Sequence, residues 1–115
     1  MHRFQVFFCH HRSGRAIASH DPLPMPLDHI AALACDVLSE DGDFLGLVDR
    51  CDCVLQFMVL KRSEHDERPI RMEMPEANLK ECHIRHISNT ELALLLKNLP
   101  EKLTTDLLHL AMPLS

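Results

Sequence analysis

The run Cys53-Val54-Leu55-Gln56-Phe57-Met58-Val59-Leu60 is followed, after a charged connection, by Ile70-Arg71-Met72-Glu73-Met74. The first run is apolar at odd and even positions alike apart from Gln56, the pattern of a central strand covered on both faces. The second sets Ile70, Met72 and Met74 on one face against Arg71 and Glu73 on the other, so it reads as a strand with one wet face. The connection from Lys61 to Arg68 is too short for a parallel crossover, which makes the two strands antiparallel neighbours.

Working outward, Phe44 to Asp49 predicts the strand before this pair and Cys82 to Ile87 the strand after it. Phe4 to Cys9 predicts a strand near the amino terminus, with Arg15 to Ala18 as a short return strand across the turn residues Arg12-Ser13-Gly14. Asp21-Pro22-Leu23-Pro24-Met25-Pro26 cannot be helical, because alternate prolines remove donors and push their predecessors into extended conformations. A helix is expected to start at Pro26, with Asp28 in its first turn and a buried stripe of Leu27, Ile30, Ala31, Ala34, Val37 and Leu38. Ser88-Asn89-Thr90-Glu91 is a capping box that opens a second helix through Leu92, Leu95, Leu96 and Leu99, closed by Pro100. Thr104 or Thr105 would open a last short helix bearing Leu107, Leu108, Leu110 and Ala111. The order β-(β)-α-β-β-β-β-α-α gives an α+β fold: an antiparallel sheet of about four to six strands with two or three helices packed on it.

The totals agree with a single α+β domain over residues 1–115. Apolar residues make up 46% and charged residues 25%, an ordinary globular balance rather than a disordered one. The absence of Trp and Tyr leaves five Phe, with Leu, Ile, Val and Met, to build the core. A net charge of −5 supplies no cationic surface for counterion release, so nucleic acid is not the expected partner. The apolar run at the amino terminus stops at His10-His11-Arg12, before a signal-peptide core is complete. No apolar run approaches bilayer-spanning length. The expected location is cytoplasmic, with no membrane partner.

Five cysteines and nine histidines call for a test of metal chemistry. Cys51 and Cys53 point to one side of an extended chain, and Cys82, His83 and His86, or Cys9, His10 and His11, are further donors. No pair has the CxxC gap, so neither a metal nor another cofactor is assigned. Asp41, Asp43 and Gly46 match part of a calcium loop, but Leu45 stands where a third side-chain oxygen belongs and Asp52 replaces the long bidentate glutamate, so a turn entering a strand fits better. Ser13-Gly14 and Ser19-His20 do not make a catalytic triad. No nucleophile elbow, phosphate loop or zinc-protease motif occurs, so no enzymatic activity is assigned.

Charge is distributed unevenly. Residues 36–52 hold six acids (Asp36, Glu40, Asp41, Asp43, Asp49 and Asp52) against Arg50, and Glu64, Asp66 and Glu67 form a second cluster. Residues 1–15 hold three arginines and no acid. Such acids are most often a solvated surface. Presented on loops at the sheet ends, they would also suit a basic protein partner.

The segments Phe44-Leu45-Gly46-Leu47-Val48-Asp49, Val54-Leu55-Gln56-Phe57, Pro69-Ile70-Arg71-Met72-Glu73-Met74-Pro75, Arg85-His86-Ile87-Ser88-Asn89-Thr90-Glu91 and Leu94-Leu95-Leu96-Lys97-Asn98-Leu99-Pro100 resemble the small immunity proteins of bacterial polymorphic and type VI secreted toxin systems. In those proteins a strand meander leads through a Ser-x-x-Glu cap into a leucine-rich helix. The turn Asn78-Leu79-Lys80-Glu81 departs from the glycine- and aromatic-rich turn of that pattern. The resemblance implies a cytoplasmic antitoxin that occludes a cognate protein toxin, one to one, by inserting acidic loops into a basic nucleic-acid- or nucleotide-handling site. The contacts it implies are Asp41, Asp43, Asp49, Asp52, Glu64, Asp66 and Glu67, and charge reversal at Asp41, Asp43 and Asp49 is expected to weaken the complex without disturbing the fold. The alternatives are a homo-oligomeric adaptor sealed through an apolar sheet face, with a homodimer as its simplest form, and a thiol or metal sensor built on Cys51, Cys53 and nearby histidines.

Overall fold

The first strand, β1 (Arg3–His10), lies inside the sheet because three others use its two edges. In the computed structural model, which describes residues 3–60, 68–75, 82–104 and 107, the half of β1 nearer its end pairs with β2 (Arg15–Ile17). On the same edge its first half pairs with β3 (Leu23–Pro26). The proline-rich stretch is thus a short strand, an addition to the expected set. Pro24 and Pro26 fit there because an outermost strand can leave donors unpaired.

The other edge of β1 takes β4 (Phe44–Val48), followed in order by β5 (Val54–Val59), β6 (Ile70–Pro75) and β7 (Cys82–Ile87). Every pairing is antiparallel, and the described residues form seven strands, more than the four to six expected. The α+β class stands as read.

Strand register sorts the side chains onto two faces. One inner row runs Ile17, Phe8, Leu45, Phe57, Met72 and Arg85 across the sheet. With Phe4, Val6, Leu47, Leu55, Val59, Ile70 and Ile87, these apolar inner residues join one buried cluster. The helices close that face. In α1 (Leu27–Val37), Ile30, Leu33, Ala34 and Val37 are buried, so Leu33 joins the predicted stripe while Leu27 and Ala31 pack at its margin. Pro26 is the cap of α1 rather than its first residue, with an extended ψ of 157°. α1 packs on β1, β3 and β4, and α2 (Asn89–Lys97) packs on α1.

The predicted capping box is formed: Ser88 Oγ accepts from the Glu91 amide at 3.1 Å, and Glu91 Oε1 accepts from the Ser88 amide at 3.0 Å. Of the expected last helix, Leu107 is buried in the core, and Leu108, Leu110 and Ala111 lie outside the described residues. The turn Asn78–Glu81 also lies outside them.

Because both described helices take the same face, β5 is covered by helices on one side only among the described residues, where its composition predicted cover on two. The apolar residues on its other side, Val54 and Met58, are half-buried by their neighbours across the strands.

Candidate binding surface

Two turns flank β4, and each is built around a buried carboxylate. Asp43 is fully buried. Its Oδ1 accepts from the His11 amide at 2.9 Å, and its Oδ2 accepts from the amides of Ser39 at 3.2 Å and Glu40 at 2.7 Å. Burial by itself would push the carboxyl upward. The amides of His11, Glu40 and Ser39, then the nearby His10 ring, outweigh burial and hold Asp43 below the ordinary carboxylate range. One side chain therefore joins the end of β1, the exit of α1 and the entry to β4.

Asp49 plays the equivalent part at the other end of the strand. It is 5% exposed, and its Oδ1 accepts from the amides of Cys51 at 2.8 Å and Cys53 at 2.9 Å. Its Oδ2 accepts from the Leu103 amide at 2.7 Å, which ties the segment after α2 to the β4–β5 turn.

These geometries correct the expectation that charge reversal at Asp43 and Asp49 spares the fold. Asp43 and Asp49 face inward and are saturated with backbone donors, so charge reversal there would strand several amides and would not leave the fold intact. Asp41 and Asp52, in contrast, are exposed. Asp41 projects from the turn that Asp43 organises and Asp52 from the turn that Asp49 organises. Asp52 has a φ of 63°, the left-handed conformation that Asp tolerates better than most side chains. Glu64, Asp66 and Glu67 lie outside the described residues.

The acid-rich run is also divided in space. β4 spans roughly 16 Å at about 3.3 Å per residue, so Asp41 and Asp52 stand at opposite ends of the sheet. At the Asp41 end, the arginines of the first hairpin fold back on the acids: Arg15 reaches Asp36 at 3.0 Å and Arg12 reaches Glu40 at 3.7 Å. At the Asp52 end, Arg50 meets Glu101 at 3.2 Å. All three pairs are largely exposed and add little stability, though they lower the local field.

The first hairpin also holds an imidazole between two hydroxyls, a grouping that sequence spacing did not reveal. His10 Nδ1 lies 2.6 Å from Ser13 Oγ, and its Nε2 lies 3.2 Å from Ser39 Oγ and 4.0 Å from Asp43. The hairpin amides are turned to other tasks. The Arg15 amide donates to Ser13 Oγ at 3.2 Å and the Gly14 amide to the His10 carbonyl at 3.0 Å. No oxyanion site is formed by these donors, and the grouping serves to brace the turn.

Among the described residues, no group of three or more His, Cys, Asp or Glu is placed to hold a metal ion. Burial, then the adjacent Asp49 and Cys51, push the Cys53 thiol up, which disfavours the thiolate that metal binding or redox sensing requires. The side chain of Cys82 lies outside the described residues.

Two further surfaces stand out. A groove of about 360 Å³ runs between the helices, lined by Ala31, Ala34, Cys35, Leu38, Leu92 and Leu96 among others. On the sheet face away from the helices, register aligns the row Cys9, Phe44, Met58, Arg71, His86 beside the row Phe7, Gly46, Gln56, Glu73, Ile84. Gly46 is needed here because a Cβ would fall within the ring of Phe7, which lies over it. Phe7 is buried although it faces away from the core, and it meets Phe44 edge-on at 6.3 Å. No helix among the described residues is long and apolar enough to cross a membrane. A comparison with protein families, curated proteins and solved structures finds no match to this chain.

Proposed function

We propose that this chain is a cytoplasmic immunity protein that binds a cognate protein toxin, with Asp41 and Asp52 as its leading charged contacts. The observation that carries the reading is the pairing of each exposed acid with a buried one. Asp43 clamps the turn that displays Asp41, and Asp49 clamps the turn that displays Asp52. A charged loop held rigid before encounter loses less conformational entropy on binding than a mobile one. Fixed negative charge also steers a basic partner and rejects acidic ones. The resemblance across residues 44–100 supplies the class of partner, a toxin whose basic site handles nucleic acid or nucleotides. Asp43 and Asp49 become positioning residues in this reading, and Glu64, Asp66 and Glu67 remain proposed contacts.

The test is growth of cells that express the product of the neighbouring gene, with and without this chain. Rescue accompanied by a one-to-one complex on co-purification is the expected result. Charge reversal at Asp41 and Asp52 together should weaken that complex at least about tenfold, with the fold retained. Rescue that is indifferent to both reversals would refute the assignment of contacts, and toxicity without rescue would refute the function.

A further inference from the structure

Beyond the toxin-binding reading, and independent of it, we infer that the sheet face opposite the helices is a self-complementary surface that pairs this chain with a second copy of itself. The inference begins with the edges. An unprotected outer strand invites edge-to-edge association, and natural sheets block it with short strands, prolines and inward-pointing charges. All three are present here. β2 has three residues, β3 carries Pro24 and Pro26, and Arg85 on β7 points to the helix side, 3.8 Å from Glu91. At the centre of the open face, among the described residues, Phe44 and Met58 lie beside Arg71 and Glu73 over a hollow of about 140 Å³.

Charge then specifies the partner. Arg71 and Glu73 stand two positions apart on β6 and point to the same face. Consider two sheets packed face to face about a two-fold axis that lies between them and crosses β6 above Met72. That operation reverses the strand direction and places Arg71 of each copy opposite Glu73 of the other. The same operation sets Phe44 opposite the Phe7 ring that covers Gly46, Met58 opposite Gln56 and His86 opposite Ile84, which is 45% exposed. A single face therefore supplies both halves of the interface, as a two-fold contact requires.

Within one copy, Glu73 Oε1 lies 2.6 Å from Arg71 Nε. The pair is already made within each copy, so the cross-contacts extend it into a network of four alternating charges. Five strands at about 4.8 Å spacing and five residues at about 3.3 Å rise give a face of roughly 20 by 16 Å. Two such faces bury about 640 Å² in all, below the roughly 1,000 Å² of most specific interfaces, so the dimer is weak, with a dissociation constant above micromolar.

The test is sedimentation equilibrium of the full chain from about 1 µM to about 1 mM at low salt, a range set by the affinity expected above. A monomer–dimer equilibrium is expected for the wild type. Arg71→Glu and Glu73→Arg should each weaken it at least about tenfold by setting like charges opposite one another. An equimolar mixture of these two variants should restore association as a heterodimer, since all cross-contacts are then of opposite sign. Met58→Lys leaves the ion pair untouched and should also weaken the dimer, which keeps the test decisive if a charge variant does not fold. A wild type that stays monomeric throughout would overturn the inference. So would a dimer that all three variants leave unchanged.

Discussion

Replacing Asp43 tests the structural reading at its most consequential point. Asp43→Ala removes an acceptor from three amides at once, those of His11, Ser39 and Glu40, in a site with no solvent exposure. A hydrogen bond to a charged group contributes about 1.5–3 kcal/mol, so simple addition would give about 4.5–9 kcal/mol. That sum is too large. Ser39 and Glu40 are only half-buried and His11 is exposed, so water can reach part of what is left behind. A net loss of about 3–4 kcal/mol follows, against a total stability of about 6–17 kcal/mol for a chain of this length.

Asp43→Asn keeps the shape, but its amide group must face one donor or another, and about 2–3 kcal/mol should be lost. Urea denaturation is the assay. With m near 1.5 kcal/mol/M, a loss of 3 kcal/mol lowers the midpoint by about 2 M. Asp41→Ala, at an exposed position two residues away, should stay within about 0.5 kcal/mol. The pH dependence has a defined sign. The Asp43 carboxyl titrates lower in the folded chain than in the unfolded one, so its contribution is complete above the ordinary carboxylate range and is lost as pH falls through the folded value. Asp43→Asn should therefore be less sensitive to acid than the wild type. Losses under about 1 kcal/mol in both variants would refute the argument that this carboxylate organises the turn.

Four other outcomes follow from the same structure. Asp49→Ala should cost about 2–4 kcal/mol in the same assay, and hydrogen exchange should show the Leu103 amide losing protection along with those of the 49–53 turn. Gly46→Ala should cost about 1–3 kcal/mol by lifting the Phe7 ring, and little of that should remain in a Phe7→Ala background, which a double-mutant cycle would measure. Glu91→Gln retains the capping geometry but loses the charge that Arg68 meets at 3.2 Å and Arg85 at 3.8 Å. Burial opposes ionisation of Glu91, but Ser88, Arg68 and Arg85 hold its carboxyl low, so the wild type should lead by about 1 kcal/mol near pH 7 and the two curves should converge in acid. Asp52→Gly relieves the left-handed backbone and should raise the denaturation midpoint by the equivalent of about 0.5–1 kcal/mol, while weakening any complex that uses the Asp52 carboxylate.

The sequence by itself determined the features that arise from short-range physics. Alternation in Ile70-Arg71-Met72-Glu73-Met74 assigned a strand and its two faces, because the side-chain period of a strand is two whatever surrounds it. Ser88 and Glu91 announced the start of α2, since the box that they form closes within one turn of helix. Gly46 inside a strand pattern signals close backbone approach, but only the fold shows that the Phe7 ring is what lies above it.

Only the tertiary structure decided which acids are surface and which are frame. Asp41, Asp43, Asp49 and Asp52 look alike in the chain, and nothing in their spacing separates them. Asp43 is buried because the His11 amide, 32 residues away, meets it, and Asp49 because the Leu103 amide arrives from 54 residues away. Burial of a carboxylate is favourable only where several donors converge on it, and convergence depends on strand pairing and helix placement. Tertiary pairing also folded Arg12 and Arg15 onto Glu40 and Asp36. Periodicity can be counted along a chain, but desolvation and charge pairing are set by which distant segments meet.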